Sequence, residues 1–138
     1  LVDGGSQRRS FTYIADGIEA LMKIIVNKDG KATGRIFNIG NPKNNCSIKD
    51  LADMLISLFK RHPAYSDSRY KPRVVATKAQ VFYGESYQDI STRVPSIENA
   101  VNLLGWQPKV GLEDALRLTL ESFLKEAGLE HVRTGTQG

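Results

Sequence analysis

Apolar residues at Ile18, Leu21, Met22, Ile25 and Val26 recur at helical spacing from Asp16 onward, which predicts an amphipathic helix that Asn27 and Gly30 bring to a stop. A different pattern precedes it. Leu1-Val2-Asp3 and Phe11-Thr12-Tyr13-Ile14 read as extended segments on either side of Gly4-Gly5, and together they predict a β-hairpin at the N-terminus. Arg35-Ile36-Phe37-Asn38-Ile39 is short, β-branched and bounded by Gly34 and Gly40, which favours a buried strand over a helix.

Beyond the polar loop 40–45, Ser47-Ile48-Lys49-Asp50 resembles a capping box, and the helix behind it is expected to run to about Lys60 with Leu51, Met54, Leu55 and Leu58 inward. Residues 61–72 carry Pro63 and Pro72 and read as a loop before a short strand, Arg73–Thr77. Two further helices are expected. Ser96 can cap the first, which turns Ile97, Ala100, Val101 and Leu104 inward and ends at Gly105; the second places Leu112, Ala115, Leu116, Leu120, Phe123 and Leu124 on its buried side and stops near Gly128. The tail from Glu130 is expected to fray. Helices alternating with short strands make the fold class α/β, with about four helices.

The composition, 138 residues with 41% hydrophobic and 25% charged, fits one ordinary domain that needs no disulfide or metal to hold its core. The lone Cys46 excludes an internal disulfide framework and favours a reducing, cytoplasmic setting. No apolar run approaches the roughly 20 residues that span a bilayer. A formal net charge of +4 allows an anionic partner, but Lys and Arg occur as short doublets or singly, without a basic stripe interleaved with stacking aromatics, so nucleic acid is not the expected ligand. Because Leu1-Val2-Asp3 already reads as the middle of a strand, the chain is expected to be part of a longer polypeptide.

Two groups of residues could carry chemistry. On the expected hairpin, alternation sets Gln7 and Arg9 on one face with Phe11 and Tyr13, an arrangement suited to a flat anionic group such as a nucleotide diphosphate; composition alone favours the other reading, in which the hairpin's arginines, Arg8 and Arg9, pair with surface acids. Arg93 stands two residues before Pro95, on backbone biased to an extended or turned form, so that its guanidinium either reaches a ligand or pairs with Asp89. Tyr87 reads either as a ligand contact or as a half-buried aromatic. Trp106, behind Gly105 and ahead of Pro108, has the position of a residue that packs a helix end. His62 and His131 fall in a loop and a tail and read as solvated. A Gly-rich dinucleotide fingerprint is absent, since Gly4-Gly5 has no helix directly behind it.

The order Asp3-Gly4-Gly5, Arg9-Ser10-Phe11-Thr12-Tyr13-Ile14-x-Asp16, Phe37-Asn38-Ile39-Gly40, Arg93-x-Pro95 and Leu104-Gly105-Trp106-Gln107-Pro108 resembles the C-terminal part of extended short-chain dehydrogenase/reductases that act on nucleotide sugars. Within them, Ile39-Gly40-Asn41-Pro42 and Tyr83-Gly84-x-x-Tyr87-Gln88-Asp89 look closest to the UDP-glucuronic acid decarboxylase domain of the bifunctional polymyxin-resistance enzymes, which carry a separate formyltransferase domain. The resemblance implies an NAD-dependent oxidative decarboxylation of UDP-glucuronic acid to a UDP-4-keto-pentose. It also implies that NAD is held by a half of the domain preceding residue 1 and that the full-length protein is a homo-oligomer. It maps the substrate segment onto residues 1–9, with Gln7 and Arg9 as the first UDP contacts and Ser6 and Arg8 beside them. The substrate tyrosine falls on Tyr87 and the catalytic arginine on Arg93. An epimerase or dehydratase sibling, or a sugar-nucleotide-binding module without catalysis, stands as the alternative.

Overall fold

A computed structural model describes residues 1–62, 72–85 and 89–127. The chain is α/β, with five helices and one small mixed sheet among the described residues, and it divides into two compact units. One comprises Gln7–Ser47 and Asp89–Leu112; the other comprises Leu1–Ser6, Ile48–Gln88 and Glu113–Gly138. Tyr87, the loop 63–71, the expected helix stop at Gly128 and the tail with His131 lie outside the described residues.

The first unit is built on strand β1 (Arg8–Ser10), the middle strand of three. β2 (Asn45–Ser47) pairs with it antiparallel, Arg9 opposite Cys46, and β3 (Thr92–Arg93) pairs with it parallel, Arg9 opposite Arg93. The expected hairpin does not form. Asp3–Gly5 instead makes a 3-10 turn, and Tyr13 is the extended residue that opens helix α1 (Ile14–Val26), so the second half of the supposed hairpin is consumed by the helix. β1 satisfies its backbone through partners distant in sequence, including Arg8 N–H to the Ser91 carbonyl at 2.8 Å and Phe11 N–H to the Asn44 carbonyl at 3.1 Å.

Helix α1 stops where the sequence indicates. Asn27 takes a left-handed conformation, donates its N–H to the Lys23 carbonyl, and accepts Ala32 N–H on its side-chain oxygen at 2.8 Å. The helix does not bury the stripe its periodicity predicts: Ile14, Ile18, Leu21, Met22, Ile25 and Val26 are all exposed, and the residues it buries are Asp16 and Ala20. It packs on α4 (Glu98–Leu104), where Ala20 and Ala100 meet Trp106 in a core with no exposure at any of the three, ringed by Phe37, Ile39, Ile97 and Leu104. Small residues at the crossing let the helices approach, so the large apolar side chains of α1 are left on the opposite side.

Arg35–Ile39 is also not a strand. Arg35 N–H turns back to the Ala32 carbonyl at 3.2 Å, Asn99 donates its side-chain amide to the Ile36 carbonyl at 3.2 Å, and Ile36 is 85% exposed. A ladder requires a second strand, and none among the described residues lies beside this segment.

In α4 the expected inward positions hold, although the helix starts at Glu98 with Ile97 at its N-cap; Ser96 gives it no side-chain bond and instead offers its carbonyl to Asn38 at 3.2 Å. Gly105, at φ +59°, ends the helix with paired bonds from its own N–H to Val101 and from Trp106 N–H to Ala100. The positive φ explains why glycine stands there. Behind it, the indole N–H of Trp106 donates to the Asp16 carbonyl at 3.0 Å, while the Asp16 carboxylate accepts the N–H groups of both Lys109 and Val110 at 3.0 Å. Trp106 is thus structural, as its position between Gly105 and Pro108 suggests.

The second unit contains α2 (Ile48–Arg61), α3 (Ala79–Tyr83) and α5, whose body from Glu113 to Glu126 lies in it (α5 begins at Leu112). The expected strand Arg73–Thr77 reduces to one parallel bridge, Val2 to Thr77, with Asp3 N–H on the Thr77 carbonyl at 2.8 Å. The Asp3 side chain accepts Ala79 N–H at 2.9 Å and so holds the start of α3, a helix that the pattern of apolar positions does not signal. Of the residues expected inward, Leu51, Met54 and Leu58 are half-buried and Ala115 and Leu124 are buried, but Leu55 and Phe123 are exposed. The latter two, with Ile56, Phe59, Pro72 and Leu120, line an apolar groove of about 320 Å³.

Candidate functional site

Parallel pairing in register sets Arg9 of β1 and Arg93 of β3 side by side, and both line a cleft of about 430 Å³ in the first unit. Ser10, Asn38, Gly40 and Pro95 complete its wall. Phe37-Asn38-Ile39-Gly40 and Arg93-x-Pro95, far apart in sequence, therefore meet at one place. Gly40 makes the meeting possible, since a Cβ on it would stand 2.6 Å from Cγ of Pro95. Below the cleft, Thr12 Oγ1 accepts Asn41 N–H at 3.0 Å, and Asn41 and Asn44, both buried, donate their amides to the Val110 carbonyl at 3.1 and 3.0 Å.

The two arginines are held differently. Arg9 donates from Nη1 to the carbonyls of Arg8 and Ile90 at 2.7 and 2.8 Å and from Nη2 to Asp89 Oδ1 at 2.5 Å. Asp89 therefore pairs with Arg9 and not with Arg93, which settles one of the two readings left open for Arg93. The Arg93 guanidinium has no hydrogen-bond or ion-pair partner among the described residues. Two guanidinium charges on adjacent strands, offset by one carboxylate, leave the cleft a net positive rim that favours an anion.

The other expected contacts are dispersed. Arg8 points its Nε and Nη2 at the side-chain and main-chain oxygens of Asn45 across the sheet, 2.8 and 2.9 Å away, a fork that ties β1 to β2. Gln7 precedes β1 in the same unit, Ser6 belongs to the other unit behind the Asp3–Gly5 turn, and Tyr87 lies outside the described residues. Sequence reasoning missed Asn38 and Gly40 as cleft walls and the Arg9–Asp89 pair; the short acidic side chain between Gln88 and Ile90, just ahead of β3, was the available signal for the latter.

Residues 1–40 match the family described as NAD dependent epimerase/dehydratase family. Among solved structures, the PbgP3 protein from Burkholderia pseudomallei is 45% identical over 93% of this chain, with a TM-score of 0.77. UDP-glucuronic acid 4-epimerase from Bacillus cereus, solved with NAD, is 22% identical over 94% of the chain at a TM-score of 0.65. UDP-glucose 4-epimerase from Thermotoga maritima, solved with UDP-glucose, is 24% identical over 92% at 0.62. The last two show the fold alone. The chain spans about a third of each of these structures, 34%, 34% and 35%.

A dinucleotide would require a Gly-rich turn opening a helix N-terminus toward its pyrophosphate. The Gly4-Gly5 turn does not fit: Gly5 is buried, and a Cβ there would meet Leu1 and the Lys49 backbone nitrogen at 3.0 Å. Among the described residues no such cradle is present, and no helix is long and apolar enough to cross a membrane. Residues 1–40 thus resemble the epimerase/dehydratase family, and over 93% of its length the chain shares the fold of a 45% identical solved structure.

Proposed function

We propose that this chain is the UDP-sugar side of an NAD-dependent UDP-glucuronic acid decarboxylase whose dinucleotide-binding half is supplied by polypeptide outside residues 1–138. The observation that carries the reading is the Arg93 guanidinium, unpartnered among the described residues in a cleft that it shares with Arg9. The resemblance assigns the UDP contacts to Arg9 and Gln7, with Ser6 and Arg8 as further candidates and Tyr87 for the sugar nucleotide; in this reading Arg93 faces the sugar carboxylate. The open Ile36 segment and the exposed apolar face of α1 support a larger domain, because both leave surface that a further layer would cover. That domain is taken to form homo-oligomers. The product, a UDP-4-keto-pentose, would feed the 4-amino-4-deoxy-L-arabinose modification of lipid A that underlies polymyxin resistance, with a formyltransferase acting later on the same route.

NAD would supply oxidation at C4 of the sugar, and no residue of this chain is assigned to that step. Loss of CO₂ from the oxidised sugar is assisted by a cation. In a 4-keto uronic acid the carboxylate is β to a carbonyl, so the bond from C5 to the carboxyl carbon breaks, its electron pair enters an enolate, CO₂ leaves, and C5 then takes a proton. A guanidinium placed at that position neutralises the carboxylate and stabilises the enolate as its charge develops. Arginine seldom surrenders its own proton, so Arg93 acts first as an electrophilic clamp and organises protonation.

The test is steady-state CO₂ and NADH release with UDP-glucuronate, alongside UDP titration, by the full-length protein. Arg93→Ala is expected to lower kcat roughly a hundredfold to a thousandfold with UDP affinity kept, and Arg93→Lys to restore part of it. Normal turnover by Arg93→Ala, or a loss of UDP affinity alone, would make Arg93 a structural or phosphate-binding residue. A wild type that epimerises the sugar without releasing CO₂ would instead identify a sibling enzyme.

A further inference from the structure

The way Arg9 is gripped assigns a task to its partner. A guanidinium has five N–H donors. In Arg9, three are taken by protein acceptors: both on Nη1 by the Arg8 and Ile90 carbonyls, and one on Nη2 by Asp89. Arg9 has no further partner among the described residues, so Nε–H and the second Nη2–H remain, the number of donors that a bidentate contact to one phosphate uses.

We propose that Asp89 is a positioning residue for nucleotide-diphosphate binding: its carboxylate, together with the two carbonyls, immobilises the Arg9 guanidinium so that its remaining pair of donors is offered to a phosphate. This rests on the assignment of the cleft to a UDP-sugar. Asp89 could act in the opposite way, as a counter-ion that the incoming phosphate must displace and that repels it at short range. The geometry favours positioning. Both side chains are about three-quarters buried, at 24% and 23% exposure, and the carbonyl acceptors share the load with the carboxylate, so Arg9 is cradled and not merely neutralised. Freed of its cradle, a long side chain would have to give up its rotamer freedom upon each binding event. The neighbouring Arg93 also keeps the local charge positive while Asp89 is present.

The experiment is calorimetric titration of the full-length protein with UDP, inorganic pyrophosphate and uridine, for the wild type, Asp89→Asn, Asp89→Ala, Arg9→Ala and the Arg9→Ala/Asp89→Ala double variant. Asp89→Ala is expected to weaken UDP and pyrophosphate about tenfold. Asp89→Asn, which keeps an oxygen acceptor, should recover part of that loss. Uridine affinity should not move, and the double variant should bind UDP no worse than Arg9→Ala, because a residue that works only through Arg9 has nothing left to position. Equal or tighter UDP binding by Asp89→Ala, or additive losses in the double variant, would overturn the positioning role while leaving the cleft assignment intact. A wild type that binds neither UDP nor pyrophosphate would remove the cleft assignment and the positioning role with it.

Discussion

Two polar clusters of the first unit treat their hydrogen-bonding groups differently. At the Asp16–Trp106 junction the polar groups are turned onto the chain itself: carboxylate Oδ2 accepts two backbone N–H groups, the Asp16 carbonyl accepts the indole N–H, and Trp106 has no exposure. At the cleft, Arg9 is three-fifths satisfied and Arg93 has no side-chain partner among the described residues. A buried cluster whose bonds run to its own backbone serves the fold, whereas charged donors held in place but left open are free for a partner outside the chain.

The largest effect is expected from breaking the buried cluster. Trp106→Ala removes the one large side chain that is buried without exposure among the described residues, empties the crossing of α1 and α4, and removes the indole N–H that the Asp16 carbonyl accepts. It should cost roughly 3–5 kcal/mol in denaturant unfolding. Trp106→Phe keeps much of the volume and loses only the N–H, and its smaller deficit would isolate the hydrogen bond. A near-neutral Trp106→Ala would mean that this core does not hold the unit together, and the contrast between the two clusters would lose its first term.

A smaller loss is expected where the cleft depends on packing. Gly40→Ala would drive a methyl into the Pro95 ring, which cannot rotate away, so the backbone from Arg93 to Ser96 must shift. Overpacking of this kind typically costs about 1–3 kcal/mol. The expected signature is a modest fall in stability combined with weaker UDP binding, which thermal unfolding and titration of the same sample would show together. Lower stability with unchanged UDP affinity would separate the Gly40–Pro95 contact from the cleft.

How much of this the sequence disclosed depends on where each residue finds its partners. Helix ends were legible because their chemistry is local: Asn27 and Gly105 stop α1 and α4 through bonds to the preceding turn. The faces were not. Ile18, Leu21, Met22, Ile25 and Val26 have the periodicity of a buried stripe, yet all five are exposed, because periodicity identifies an apolar face without identifying what covers it. Arg35–Ile39 has the composition of a strand, but strand status belongs to a pair and not to a segment. At the site, the backbone of Arg93 was legible as extended from Pro95 two residues on, and its environment was not: only the fold reveals that β3 lies beside β1 and that Asp89 chooses the arginine 80 positions away over the one four positions away.

The smallest expected effect concerns the ion pair at the edge of the buried cluster. Lys109 Nζ stands 2.6 Å from Glu19 Oε2, and the hydrogen bond to Glu19, reinforced by its charge, raises the lysine above its ordinary value of 10.5. The pair is solvated, so it should contribute little compared with the backbone bonds that Asp16 makes to the same residue and its neighbour. The sign is set by the direction of the shift. A lysine whose pKa is raised by folding contributes fully below its unfolded value and loses that contribution as the pH rises through the folded one. Wild type and Lys109→Ala should therefore differ by a small, constant amount in urea midpoint between pH 7 and 9, and the difference should close above 10.5. Added salt should narrow the gap at neutral pH. If Lys109→Ala instead destabilises as much as Trp106→Ala, with a gap that closes at high pH, then charge pairing and not the backbone bonds of Asp16 holds this junction, and the distinction between a cluster completed by its own backbone and a cleft awaiting a ligand would have to be redrawn.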